Sequence, residues 1–220
     1  MAIRVHRIPM GMASGYLVED GAGLVLVDAG SPGQERRVLQ RMRALDRDDL
    51  RLIYITHGHF DHYGSAAALR RLTGAPIAIH RADAEAMARG ETPLGEARGR
   101  GRLTRYVLPL AEQALGVEAT RADILLDDGD GLDGLGVEGR ALHLPGHTPG
   151  SSALWVGEGL CFVGDLVSTT GRPHAQCLYA CDWLALRASL ARLAALHPAT
   201  IYPGHGSRPL PGTALVSLVR

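Results

Sequence analysis

Lysine is absent: all 23 basic side chains of the 220 residues are arginine, and 23 acidic ones balance them. With zero formal net charge, the chain lacks the broad positive field that gathers nucleic acid. The local run Arg98, Arg100, Arg102 and Arg105 reads as a solvated helix face. Cysteine is scarce. Cys161, Cys177 and Cys181 do not make an even disulfide framework, so a reducing cytoplasm is the expected compartment. No stretch approaches the roughly 20 apolar residues needed to span a bilayer. The first residues lack the continuous apolar core of a signal peptide. The chain does have core-forming material, 46% hydrophobic residues. A single domain over 1–220 is expected, with a small-molecule substrate and neither a membrane nor a nucleic-acid partner.

Short β-rich runs at 3–8, 16–19 and 24–28 are separated by glycine turns and predict three strands. A helical period follows at 36–45, then a buried strand at 52–55. The pattern continues with a helix at 65–72, a strand at 76–79 and a helix at 82–88. Residues 89–101 read as a loop, and 103–115 as a helix broken or kinked near Pro109. Strands are expected at 124–126, 137–144, 152–156 and 160–163. Asp182 is a candidate N-cap for a helix to Leu196, and 200–202 is a last strand. This order fits two packed sheets with helices outside.

The strongest signal is Thr56-His57-Gly58-His59-Phe60-Asp61-His62, just past a strand. Alternate side chains of an extended segment point the same way, so His57 and His59 can converge on one ion. Asp61 and His62 come after a bend and can face a second. His147, Asp165 and His205 each follow a predicted strand, and each has a glycine just before it, which permits close backbone approach. Seven such ligands suffice for two ions that share one carboxylate, with a water between them. Imidazole and carboxylate suit zinc, and also iron or manganese. His6, His80, His143, His174 and His197, taken singly, carry no such signal.

These residues resemble the metallo-β-lactamase superfamily: His-x-His-x-Asp-His at 57–62, then His147, Asp165 and His205 in order. The resemblance covers roughly residues 3–206. It implies an α/β fold, the αββα sandwich, with two mixed β-sheets packed face to face, helices outside, and the site at one edge. Asp28 resembles the family's early structural aspartate. Carried over by position, His57, His59 and His147 would hold one zinc ion, Asp61, His62 and His205 another, and Asp165 would bridge them. This set is similar to that of glyoxalase II and unlike that of class B1 β-lactamases, which use a cysteine near the Asp165 position. The chain ends 15 residues after His205, so the helical domain that grips glutathione in glyoxalase II is not expected. The layout most resembles a small single-domain hydrolase branch.

The implied activity is hydrolysis of an ester-type carbonyl bond (thioester, lactone or related) by a hydroxide between two ions, with Asp61 orienting it and passing on a proton. Two alternatives share the fold: a mononuclear iron dioxygenase of the persulfide dioxygenase type, and a phosphodiester hydrolase. Met10 and Met12 are expected to form an apolar wall over the site, and His174 or Tyr179 to touch substrate. Thr56 and Thr148 are candidates for fixing ring orientation. Cys161 is expected in the core. Cys177 and Cys181, spaced for chelation, read better as ordinary thiols. Residues 89–116 would either cover the site or form a homodimer contact.

Overall fold

The computed structural model describes residues 3–21 and 23–219, apart from the side chains of Thr104 and Arg105, so Arg105 of the arginine run lies outside the description. Its first sheet is β1 (Arg4–Met10), β2 (Ala13–Asp20), β3 (Gly23–Val27), β4 (Leu50–Ile55), β5 (Ile77–His80) and β7 (Ile124–Leu126), in that spatial order. The first two pairings are antiparallel and the other three parallel. The second sheet runs β14 (Leu210–Pro211), β13 (Thr200–His205), β10 (Leu160–Ser168), β9 (Ser152–Val156), β8 (Gly139–His143), with β11 (His174–Ala175) on β10. Only β10 and β13 pair in parallel. A separate ribbon joins β6 (Glu96–Ala97) to β12 (Tyr179–Ala180). Both main sheets are mixed.

Strand alternation sorts the side chains into three cores. Leu24 and Leu26 of β3, with Ile53 and Ile55 of β4, face outward under α1 (Glu35–Ala44), α3 (Ala66–Thr73), α4 (Arg81–Arg89) and α5 (Gly101–Leu115), meeting Val38, Leu69, Met87 and Leu108. Their neighbours Val25, Val27, Leu52 and Tyr54 face inward and meet Ala141, Leu154, Val156 and Phe162 of the second sheet. Cys161 and Val163 point to the far side, against Leu186, Leu190 and Leu193 of α6 (Trp183–Ala195) and Leu215 of α7 (Leu215–Leu218). The result is helix, sheet, sheet, helix. Two buried tyrosines tie the sheets: Tyr16 donates to the Pro203 carbonyl at 2.7 Å and Tyr54 to Ser152 Oγ at 2.9 Å.

Several boundaries differ from the sequence pattern. Asp165 and His205 are not past their strands but within them, because β10 runs on to Ser168 and β13 to His205. The apolar run 137–144 yields a strand only over Gly139–His143, since 133–135 close a 3₁₀ turn before it. Helix α5 is unbroken through Pro109; Leu108, buried in the outer core, anchors it there. Its opposite face leaves Leu103, Tyr106, Val107 and Leu110 exposed. Asp182 caps α6, accepting from the Leu184 and Ala185 amides at 2.8 and 3.0 Å. Among the described residues no helix is long and apolar enough to cross a membrane.

Candidate metal centre

The site forms at one edge of the sandwich, at the C-terminal ends of the parallel strands β3, β4, β10 and β13, where strand ends of both sheets meet. Residues 57–59 leave β4 in an open turn, and a single helical turn, α2 (Phe60–Tyr63), then carries Asp61 and His62. His147 comes from the loop after β8. All seven ligand-type residues are brought together. Their donor atoms fall into overlapping groups: His57, His59 and His147; His57, His62 and Asp165; Asp61, His62 and His205. Within each group the atoms lie within 4.8 Å of one another.

The shorter separations suit ligands around a common ion. His59 Nδ1 and His147 Nε2 are 3.2 Å apart. His205 Nε2 is 3.4 Å from Asp61 Oδ2. Asp165 Oδ2 stands 3.5 Å from His147 Nε2 and 3.2 Å from His205 Nε2, so it belongs to both halves. Neighbouring ligands on one tetrahedral ion, each about 2.0–2.1 Å from it, would be a little over 3 Å apart.

Every ring has its outer nitrogen engaged. His59 Nε2–H donates to the Pro93 carbonyl at 2.9 Å, His147 Nδ1–H to that of Tyr179 at 3.2 Å, and His205 Nδ1–H to that of Met12 at 3.0 Å. His62 Nδ1–H donates to Asp28 Oδ2 at 2.8 Å. His57 Nδ1–H donates to Thr56 Oγ1, whose hydroxyl donates onward to Asp28. This orients each ring with its other nitrogen facing inward. His57 Nε2, His62 Nε2 and Asp165 Oδ1 are buried with no hydrogen-bond partner. His62 Nε2 lies 3.2 Å from Asp165 Oδ1, but misaligned for a hydrogen bond. Buried polar atoms are seldom left so, and inward-aimed orphans fit a divalent cation.

The electrostatics divide the rings. Burial first, then neighbouring rings, push His57 well below the ordinary histidine value and His147 down to about 3; burial also lowers His59. These three are neutral lone-pair donors. Burial opposes charge at His62 and His205 too, but nearby carboxylates outweigh it. Asp28, Asp165 and Asp61 hold His62 well above its usual value, and Asp165 and Asp61 raise His205 to about 9. Burial resists charge on Asp165, yet His205 and His62 hold its carboxyl well below the carboxylate range.

Backbone packing permits this density. Gly164 has φ +50°, and a Cβ there would sit 2.5 Å from Thr56 Oγ1. A Cβ at Gly204 would come 2.5 Å from His62 Cε1. Asp28 itself takes a left-handed φ of +58°, a strained conformation that its three accepted hydrogen bonds hold.

The sequence pattern missed one buried carboxylate. Asp83, in the first turn of α4, accepts from the Gly58 amide at 2.8 Å, the Gly150 amide at 2.6 Å and Thr148 Oγ1 at 2.6 Å. It pins the loops that carry His57, His59 and His147 to each other. An acidic residue in a first helical turn is unremarkable by spacing, so no local signal marks it. The carbonyls of Pro93, Tyr179 and Met12 are likewise invisible in side-chain identity. Thr56 does orient a ring, that of His57, as expected, whereas Thr148 touches no ring and acts on the loop through Asp83.

The flanking residues separate. Tyr179 lines the centre, its ring centroid 5.4 Å from that of His147 and 5.9 Å from His59. Met12 is 54% exposed beside His205. Met10, expected as the other half of an apolar wall, is fully buried in the outer core instead. β1 alternation puts it, with Ile8, on the helix-facing side, where its side chain packs beside Gly15. His174 pairs in register with Ser168, next to the His205 strand, and its Nδ1–H donates to the Arg172 carbonyl. Cys161 is core, and Cys177 and Cys181 are exposed free thiols outside every ligand group.

An αββα sandwich with clustered histidines and aspartates at its strand ends defines a class of metal-dependent enzymes. The chain belongs to the metallo-beta-lactamase superfamily, whose family model matches residues 8–205. It is 26% identical over 224 residues to the probable metallo-hydrolase YflN of Bacillus subtilis (strain 168), covering 92% of this chain and 83% of that one. It is 31% identical over 181 residues to a hydroxyacylglutathione hydrolase of Aeromonas hydrophila, covering 79% of this chain. The chain spans only 54% of that relative's length. Among solved structures, TTHA1623 in a di-iron-bound form superposes with a TM-score of 0.67 at 28% identity, covering 94% of this chain and 93% of that one.

Proposed function

We propose that the chain is a dinuclear metallohydrolase that cleaves an ester-type carbonyl bond of a small molecule, a thioester first. One observation carries the two-ion reading: two complete donor sets, with Asp165 Oδ2 within reach of a ring from each. His57, His59 and His147 would hold one ion, Asp61, His62 and His205 the other, and Asp165 both. Bound there, a pair of divalent ions would lower the pKa of a water toward neutrality, giving a hydroxide nucleophile, and polarise the acyl carbonyl.

The chain's own residues would do the rest. The neutral rings of His57, His59 and His147 donate lone pairs without first losing a proton. Asp61 Oδ2 stands at the edge of the second set and is the residue placed to orient the nucleophile and take its proton. Burial, then Asp165 and Asp61, push the Tyr179 hydroxyl up, so it walls the acyl site as a neutral phenol. Met12, exposed beside His205, offers apolar surface at the mouth. The thioester preference rests on the hydroxyacylglutathione hydrolase relative. Zinc is the metal proposed, and the di-iron form of TTHA1623 makes iron its rival. A mononuclear iron dioxygenase would fill only one donor set, so the number and kind of bound ions separate the two readings.

The test is metal analysis of protein purified without chelator, followed by assay against acylglutathione thioesters, lactones, β-lactams and phosphodiesters. About two ions per chain and chelator-sensitive thioester hydrolysis support the reading. One iron per chain with oxygen uptake would replace it.

A further inference from the structure

A second cavity, about 420 Å³, lies between the first turns of α6, the segment Leu218–Val219 and the loop at 175–177. None of the seven ligand-type residues lines it. The β6–β12 ribbon stands between the two sites: Tyr179, which faces His59 and His147, pairs in register with Ala97, and the next residue, Arg98, lines the cavity.

Its walls are of two kinds. Leu186 and Leu190 are buried and form an apolar floor. Arg98 and Arg187 bring two guanidinium groups to the rim. The Arg98 guanidinium lies 4.1 Å over the Trp183 ring, and Glu96 is 3.5 Å away on exposed surface. Trp183 Nε1–H is buried and has no acceptor among the described residues. That burial closes the indole N–H to a ligand in the cavity, so the guanidinium groups are the polar contacts it offers. Guanidinium groups recognise carboxylates through charge-assisted, often bidentate hydrogen bonds. Concave sites with an apolar lining and a few convergent polar groups are the usual form of small-molecule sites.

We propose that this cavity binds an organic carboxylate with an apolar body. The carboxylate would lie between Arg98 and Arg187, and the body on Leu186 and Leu190. The site is separate from the metal centre, and a ligand in it would cover Cys177, which is exposed and lines the same cavity.

The experiment uses metal-loaded protein carrying Cys181→Ser, so that Cys177 is the exposed thiol that reports. Octanoate and benzoate are titrated, with octanol and octylammonium as comparisons, and labelling of Cys177 by a neutral maleimide is followed. The expected result is saturable carboxylate binding that slows labelling, weakened about tenfold or more by Arg187→Ala and by Arg98→Ala. Arg187 is exposed, so its variant keeps the test valid if loss of the Arg98–Trp183 stack disturbs folding. Carboxylates held at the metals would be indifferent to Arg187→Ala and would leave labelling unchanged. Either result overturns the proposal, as does octanol matching octanoate or no saturable binding by either carboxylate.

Discussion

At the scale of single residues, the site depends on orientation as much as on ligands. Asp83 touches none of the seven but holds the amides of Gly58 and Gly150 together with Thr148 Oγ1. Asp83→Asn should cut metal affinity and kcat/KM by roughly 10- to 100-fold while the protein stays folded; chelator competition and steady-state kinetics check this. The carboxylate cluster also makes ion-free stability depend on pH. His205 is raised to about 9 from 6.5, so the stability it contributes is full below pH 6.5 and is lost as pH rises through 9. Asp165 is held low, and its contribution is lost only in acid. The Tm of chelator-treated protein should therefore fall between about pH 6.5 and 9.5, and Asp165→Asn should flatten that slope. A Tm rising over this range in the parent protein would refute the assignment. Much of this scale was legible in sequence, because three histidines and an aspartate crowd into 57–62. Asp83 and the carbonyls of Pro93, Tyr179 and Met12 were not. Their role comes from tertiary approach, which residue type does not encode.

Elements were legible where periodicity was strong. The apolar runs of β3 and β4 and the capped helix α6 emerge as the pattern predicts. The two-residue strands β6, β11, β12 and β14 were not, since runs so short carry no period and exist only through pairing. At Pro109 the break allowed by the sequence does not occur. A proline inside a helix removes one hydrogen bond and crowds the preceding turn, costing roughly 3 kcal/mol relative to alanine in a free helix. Here helix α5 continues because Leu108 is fixed in the core. Pro109→Ala should raise the urea midpoint, and a lower midpoint would show that the proline is itself structural. Core and surface should differ sharply: Leu154→Ala, between the sheets, should cost about 2–5 kcal/mol. Leu110→Ala, on the exposed face of α5, should change stability by less than about 0.5 kcal/mol. Equilibrium urea unfolding measures both.

For the whole molecule, the two sheets present the parallel ends of β3, β4, β10 and β13 at one edge, and the site exists only where the halves meet. Tyr16 and Tyr54 lock that meeting from within. Folding therefore draws seven side chains, from residue 57 to residue 205, into one cluster in which His57 Nε2, His62 Nε2 and Asp165 Oδ1 lack hydrogen-bond partners. Ion binding should stabilise the native state by mass action, so chelation should lower Tm and added zinc restore it. The most direct measurement is anomalous diffraction from crystals of metal-loaded protein, collected on both sides of the metal's absorption edge. Two peaks are predicted, one among His57, His59 and His147 and one among Asp61, His62 and His205, with Asp165 reaching both. A single peak, or peaks away from these residues, would contradict the dinuclear centre.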